Sequence, residues 1–207
     1  ATGLLGPVSR LLHPVTDGVA IQRANLYTLR TPQYQLSTAQ RHHPGEYGDQ
    51  QHVWSANLPG GFAVFTTHPA APLAARGALS ESPGYWVGNG RNPDAAQDGN
   101  AVLAIYAIPA KKGFMERSLV GFTHAYFPVA KFDEASVEGR YAFGRSADAY
   151  LALVSREPLA WAEGSDDDLV QTGHLSYWIC EMGSPATDVS FAGFIERIRS
   201  SVVGFDE

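Results

Sequence analysis

Residues 139–155, GRYAFGRSADAYLALVS, restrict the fold of this chain more than any other stretch. Tyr141 and Phe143 alternate with small or polar residues. The polar run GRSAD turns the chain, and Tyr150, Ala152 and Val154 alternate on the return. A period of two sends successive side chains to opposite faces of a strand, so this pattern specifies an antiparallel hairpin. The same theme recurs along the chain. VAIQRANLYTL, YQLSTAQ, QHVWSANL and GFAVFTTH read as strands, the last two joined by the turn signal PGG. AVLAIYAI is a continuous apolar run suited to a central strand, and LAWAE and SYWICEM follow. Seven or more short strands with frequent turns predict a mainly β chain folded as an antiparallel β-sandwich, not a parallel α/β sheet.

One helix stands out. In DVSFAGFIERIRSSVVG, Phe191, Phe194, Ile195, Ile198 and Val202 form a single apolar stripe. Asp188 or Ser190 can cap its start and Gly204 can end it. This C-terminal helix is expected to pack on a sheet face or cover an edge. Residues 4–13 show weaker helical spacing, interrupted by Gly6 and Pro7. Residues 68–100, rich in proline and glycine, and residues 163–175, with an acidic triplet, read as long loops. Such loops on a rigid sheet are where function concentrates. Neither a repeat nor a linker divides the chain, so residues 1–207 read as one sandwich domain. The start without Met and the ending SVVGFDE suggest a domain taken from a longer multidomain protein.

Bulk properties narrow the partners. With 207 residues, 44% of them hydrophobic, the chain can bury a substantial core. Its net charge of −6 is spread along the sequence without a basic run, which argues against nucleic acid. No apolar run reaches membrane-spanning length, and ATGLLGPVSR lacks the charged start and apolar block of a signal peptide. The single cysteine, Cys180, sits in the strand-like run SYWICEMG and reads as a small buried hydrophobe more than as a catalytic thiol.

The polar stretch RHHPGEYGDQQHVW supplies His42, His43, Glu46, Asp49 and His52, all metal-ligand types. Adjacent His42 and His43 point to opposite faces if extended, and the spacing does not match a helical H-E-x-x-H site. A polar loop entering a strand is therefore preferred over a metal centre. His52 and Trp54 share one register of that strand, which suits a sugar face: an indole stacks on a pyranose while an imidazole bonds hydroxyls or moves a proton. His68, at the end of the next strand, is expected near the same rim. Tyr85, Trp86, Asn89 and Arg91, in the segment GYWVGNGR, combine aromatic surface with an amide and a guanidinium able to grip a carboxylate. The G-N-G within it lacks the strand–loop–helix setting of a nucleotide site. His124 and Tyr126, at i and i+2 in FTHAYFP, share a strand face and form an acid–base candidate pair. Each of these residues also has an ordinary structural reading, as a half-buried strand residue or loop anchor. There is no G-x-S-x-G elbow, and the scattered acids do not single out a glycosidase pair.

The runs YTLRTPQYQLSTAQ, PGEYGDQQHVWSANL, AVFTTHP and YWVGNGR, with FGRSADAYLALVS and YWICEMG, resemble the sandwich of proteins that join an (α/α) toroid to a large antiparallel β-sandwich. Many are polysaccharide lyases of the heparinase II/III and chondroitin-lyase type, or related glycoside-active enzymes. The resemblance spans residues 25 to 200 loosely. It implies a polysaccharide or oligosaccharide ligand, a helical partner domain and an extracellular or periplasmic location. It also implies that His52, His68 or His124 is the sandwich's catalytic contribution. Asn89 and Arg91 would hold a uronate carboxylate; Trp54, Tyr85 and Trp86 are the stacking platforms that a carbohydrate-binding module would use. The leading expectation is thus a sandwich domain of a lyase or glycoside hydrolase. A non-catalytic carbohydrate-binding module and a small metal-dependent sandwich enzyme are the alternatives.

Overall fold

The computed structural model describes residues 25–46, 52–69, 90–111, 119–201 and 203. In chain order its strands are β1 (Asn25–Arg30), β2 (Gln35–Gln40), β3 (Trp54–Leu58), β4 (Phe62–Thr67), β5 (Asp94–Asp98), β6 (Ala101–Ala107), β7 (Phe122–Tyr126), β8 (Glu134–Glu138), β9 (Tyr141–Ser146), β10 (Ala149–Ser155), β11 (Ala160–Trp161), β12 (Asp168–Thr172) and β13 (Leu175–Gly183). A helical turn α1 (Pro185–Asp188) and the helix α2 (Phe191–Ser200) follow. One sheet has the order β1-β2-β3-β4-β7-β12-β11 and the other β5-β6-β13-β10-β9-β8. Every described pairing is antiparallel. The expected antiparallel sandwich with a C-terminal helix is the fold observed. The chain lays down β1 to β4 as a meander and then passes back and forth between sheets. It closes with β13 inserted between β6 and β10.

The inter-sheet core draws Leu36, Trp54, Ala56, Leu58 and Val64 from the seven-stranded sheet and Tyr106, Leu151, Leu153, Trp178 and Met182 from the other. The 139–155 hairpin forms in the expected register, with Ala149 opposite Ser146 and Val154 opposite Tyr141. Strand β10 is buried along its whole length because both of its faces are covered. Leu151 and Leu153 face the core. Tyr150, Ala152 and Val154 face outward and pack with Phe143 against Phe191, Phe194 and Ile198 of α2. Ser190 caps that helix, its hydroxyl accepting from the Gly193 N–H at 3.1 Å. At its other end Arg197 reaches Glu181 at 2.5 Å and Asp188 at 2.7 Å, and its guanidinium lies over the Phe194 ring. Val202 and Gly204, expected in the stripe and at the stop, lie outside the described residues, as does the 4–13 stretch. Among the described residues no helix is long and apolar enough to cross a membrane.

Two stretches expected to be loops contain strands. Strand β5 falls within 68–100, and β12 falls within 163–175. Their sequences look polar because partners on other strands satisfy their inward polar groups. Gln97 accepts from Thr38 at 2.8 Å and donates to the Leu36 carbonyl at 3.2 Å. Gln171 accepts from the backbone of Arg156 and Glu157 and donates to the Tyr177 carbonyl. Buried amides bonded in this way are tolerated inside a sheet that composition alone marks as loop.

Between α1 and α2 the chain makes a γ-turn at Val189, with φ 60° and ψ −47°, and the Ser190 N–H donates to the Asp188 carbonyl at 2.5 Å. A β-branched residue in this region is strained, and Val189 is 89% exposed, so no packing offsets the strain. We expect Val189→Gly to raise stability by about 1 kcal/mol, since relief of strain outweighs the added unfolded-state freedom. Phe194→Ala should instead cost about 3–5 kcal/mol, as a fully buried ring between helix and sheet is lost. Urea unfolding midpoints of the two variants measure both effects.

Candidate functional site

The parity of three neighbouring strands builds the site. Thr66 on β4, Thr123 and Ala125 on β7, and Leu169 and Gln171 on β12 point into the sandwich. Thr66 meets the Trp54 indole and the Tyr106 phenol, and Thr123 meets the Trp178 indole. The intervening residues Phe65, Thr67, His124, Tyr126, Asp168 and Val170 therefore face outward from the seven-stranded sheet. Thr67 pairs with His124, which pairs with Val170, while Phe65 pairs with Tyr126 and Tyr126 with Asp168. Asp168 is thus a diagonal neighbour of His124.

These three outward side chains are bonded in a row. Thr67 Oγ1 is 2.6 Å from His124 Nε2, and His124 Nδ1 is 3.0 Å from Asp168 Oδ1. With a neutral ring protonated at Nδ1, His124 donates to the Asp168 carboxylate and its Nε2 accepts the Thr67 hydroxyl. Hydroxyl, imidazole and carboxylate in this order can draw a proton off the hydroxyl or pass one along the row. The row is screened from solvent: His124 and Asp168 are 0% exposed and Thr67 is 2% exposed. Tyr126 stacks on Phe65 at 5.5 Å, and burial, aided by the charge of Asp167, pushes its phenol above the ordinary value. Tyr126 therefore stays protonated near neutral pH, where its O–H can donate a hydrogen bond.

Of the residues expected from sequence, His124 and Tyr126 share one face as anticipated. His52 joins that face, its ring stacked on Phe65 with centroids 3.4 Å apart. Trp54 does not accompany it. Strand β3 begins at Trp54, whose indole is buried in the inter-sheet core and donates to Thr66. Its faces are covered by packing, so it offers no stacking platform to a sugar. His68 is also buried, its Nε2 donating to the Val120 carbonyl at 2.7 Å. Gly90 packs directly on it: the Gly90 N–H donates to the His68 carbonyl, and a Cβ at Gly90 would sit 2.8 Å from His68 Nδ1. The Gly90–Asn92 stretch links His68, whose carbonyl accepts from Gly90, to the histidine loop. Backbone bonds join Gly45 and Glu46 to Asn92, next to Arg91. Asn89, Tyr85 and Trp86 lie outside the described residues.

The histidine loop is not extended. Arg41, His43 and Gly45 have positive φ, and the His42 and His43 rings meet edge to face at 4.7 Å instead of pointing apart. His43 Nδ1 lies 3.4 Å from Glu46. Asp49 lies outside the described residues, and among those described no three His, Cys, Asp or Glu side chains converge to hold a metal ion. Cys180 is buried, and burial raises its thiol pKa well above the ordinary value, as suits a core residue.

A groove of about 780 Å³ opens beside the polar row. Phe122, Asp168 and Val170 line it from the outer face, together with Ala160, Trp161 and the turn that carries Glu163, Asp166 and Asp167. Trp161 is 39% exposed. The volume falls in the range of small-molecule sites. Thr67, Phe122 and Trp161 carried no warning in the sequence and Asp168 appeared only within the acidic triplet, since Thr67 and Asp168 meet His124 only through the register of β4, β7 and β12.

Comparison with protein-family models, with curated proteins and with solved structures returned no match. Thr67→Val keeps side-chain shape while removing the hydroxyl that meets His124. It should destabilise the protein by about 1–3 kcal/mol through a buried polar partner lost. Thermal and urea unfolding would show no change if the row contributes nothing to the fold.

Proposed function

We propose that this sandwich supplies a saccharide groove to a polysaccharide-processing enzyme, and that the Asp168–His124 pair works in it. The observation that carries the reading is that Asp168 belongs to both features: it lines the groove and anchors His124. Aromatic surface beside several carboxylates suits sugars, whose CH faces pack on rings and whose hydroxyls donate to carboxylate oxygens. Glu163, Asp166 and Asp167 place further carboxyl groups around the same space. Glycoside hydrolysis needs one carboxyl group to protonate the leaving oxygen and a second to assist attack, and this lining supplies candidates for both. His124 would orient Asp168 and accept or return a proton. A helical partner domain and a location outside the cytoplasm accompany this reading through the family resemblance.

A second reading, a non-catalytic carbohydrate-binding module, is favoured by one specific observation. The side chains of Thr67, His124 and Asp168 are all covered, so a bound saccharide would meet the exposed groove lining and not the row itself. Turnover and binding, measured separately on the whole protein, distinguish the two. On the catalytic reading, Asp168→Asn and His124→Gln lower oligosaccharide turnover about 10²–10⁴-fold, the usual range for lost proton transfer. Calorimetric affinity should change little. Wild-type binding without turnover would establish the module, and undiminished turnover in both variants would remove the pair from the chemistry.

A further inference from the structure

Resting on the reading of the β11–β12 groove as a saccharide site, we infer that it selects a cationic saccharide, one whose units carry ammonium groups, over a uronate chain. The cavity and its aromatic lining define the site. Trp161 belongs to neither buried cluster and stays partly exposed on a two-residue edge strand, and Phe122 lines the same groove from β7. The charges decide its sign. Among the described residues, the lining contains Glu163, Asp166, Asp167 and Asp168 and no lysine, arginine or histidine. Two of these carboxylates already have partners within the chain: Asp167 accepts from Ser165 at 2.7 Å, and Asp168 binds His124. Glu163 and Asp166 are exposed along the turn. A chain of uronates would bring like charge into a partly enclosed space, where Coulomb repulsion is screened less than in bulk water. An amino-sugar chain meets the opposite condition: its ammonium groups face carboxylates, and an indole face also attracts a cation. The uronate specificity implied by the resemblance would require a cationic wall that the described lining of this groove does not supply.

The test uses the whole protein and three oligosaccharides of equal length: a glucosamine oligomer, its N-acetylated form and an oligouronate. Calorimetry at low and high salt should give the glucosamine oligomer at least about tenfold tighter binding than the N-acetylated one at low salt, with the preference shrinking as salt rises. The double variant Glu163→Gln/Asp166→Asn, altered only at exposed positions, should lose the preference while keeping the fold. Trp161→Ala should weaken the glucosamine oligomer, which places it in this groove. Equal affinity for the glucosamine and N-acetylated oligomers would overturn the charge selection and leave the saccharide groove standing. Tighter oligouronate binding, or a preference that survives the double variant, would also overturn it. Failure of all three oligomers to bind would overturn this inference together with the saccharide reading beneath it.

Discussion

Two threonines inside the sandwich set the parity on which the outer site depends. Thr66 takes the Trp54 indole N–H and meets the Tyr106 phenol from the opposite sheet. Thr123 takes the Trp178 indole N–H and meets Ser176, both from that same opposite sheet. Each hydroxyl is buried, so turning it outward would leave an indole N–H in the core with its partner gone, a cost of about 1–3 kcal/mol. A strand that slipped by one residue would also expose its entire apolar set. With Thr66 and Thr123 held inward, Thr67 and His124 must face outward and lie side by side. The polar row on the outer surface is thus a consequence of hydrogen bonds made in the core.

The two sheets finish their outer faces in different ways. On the six-stranded sheet, helix α2 covers β9 and β10 with Phe191, Phe194 and Ile198, and Arg197 ties the helix to Glu181 on β13. This is apolar burial with an ion-pair clasp at its rim. On the seven-stranded sheet the buried outward positions include a threonine, a histidine and an aspartate. Burying such groups is unfavourable unless they bond one another, and the 2.6 Å and 3.0 Å contacts meet that requirement. Asp168 lies where this covered row meets the open groove. On the proposed reading it is therefore the point through which a bound molecule and the row can influence each other.

Much of the architecture was legible in the sequence, for a local reason. The alternation of Tyr141 and Phe143 with Tyr150, Ala152 and Val154 encodes a hairpin, and the Phe191–Ile198 stripe encodes a helix that must cover something. Strands β5 and β12 escaped the reading because their apolar signal is weak. Gln97 and Gln171 occupy inward positions because groups elsewhere in the chain, the Thr38 hydroxyl and several backbone amides and carbonyls, receive them. Trp54 was misassigned for the complementary reason: whether an aromatic residue faces the core or a ligand depends on which parity its strand adopts. His124 and Tyr126 could be paired from their spacing, whereas Thr67 and Asp168 could not.

By itself the sequence determined most of the element types, the antiparallel sandwich and the position of the C-terminal helix, because periodicity and turn chemistry act over a few residues. It also determined that the chain carries acids, histidines and aromatics in its turns and strand ends. Which of them meet was decided only by the tertiary structure. Strand register sets contacts between residues 44 to 57 positions apart, as in His124 with Asp168 and with Thr67. No local pattern records that register, because it is fixed by hydrogen bonds and packing between strands remote in the chain. The acidic, aromatic groove is likewise a product of β11 and β12 folding beside β7, which places an acidic triplet that reads as a loop against one end of a buried polar row.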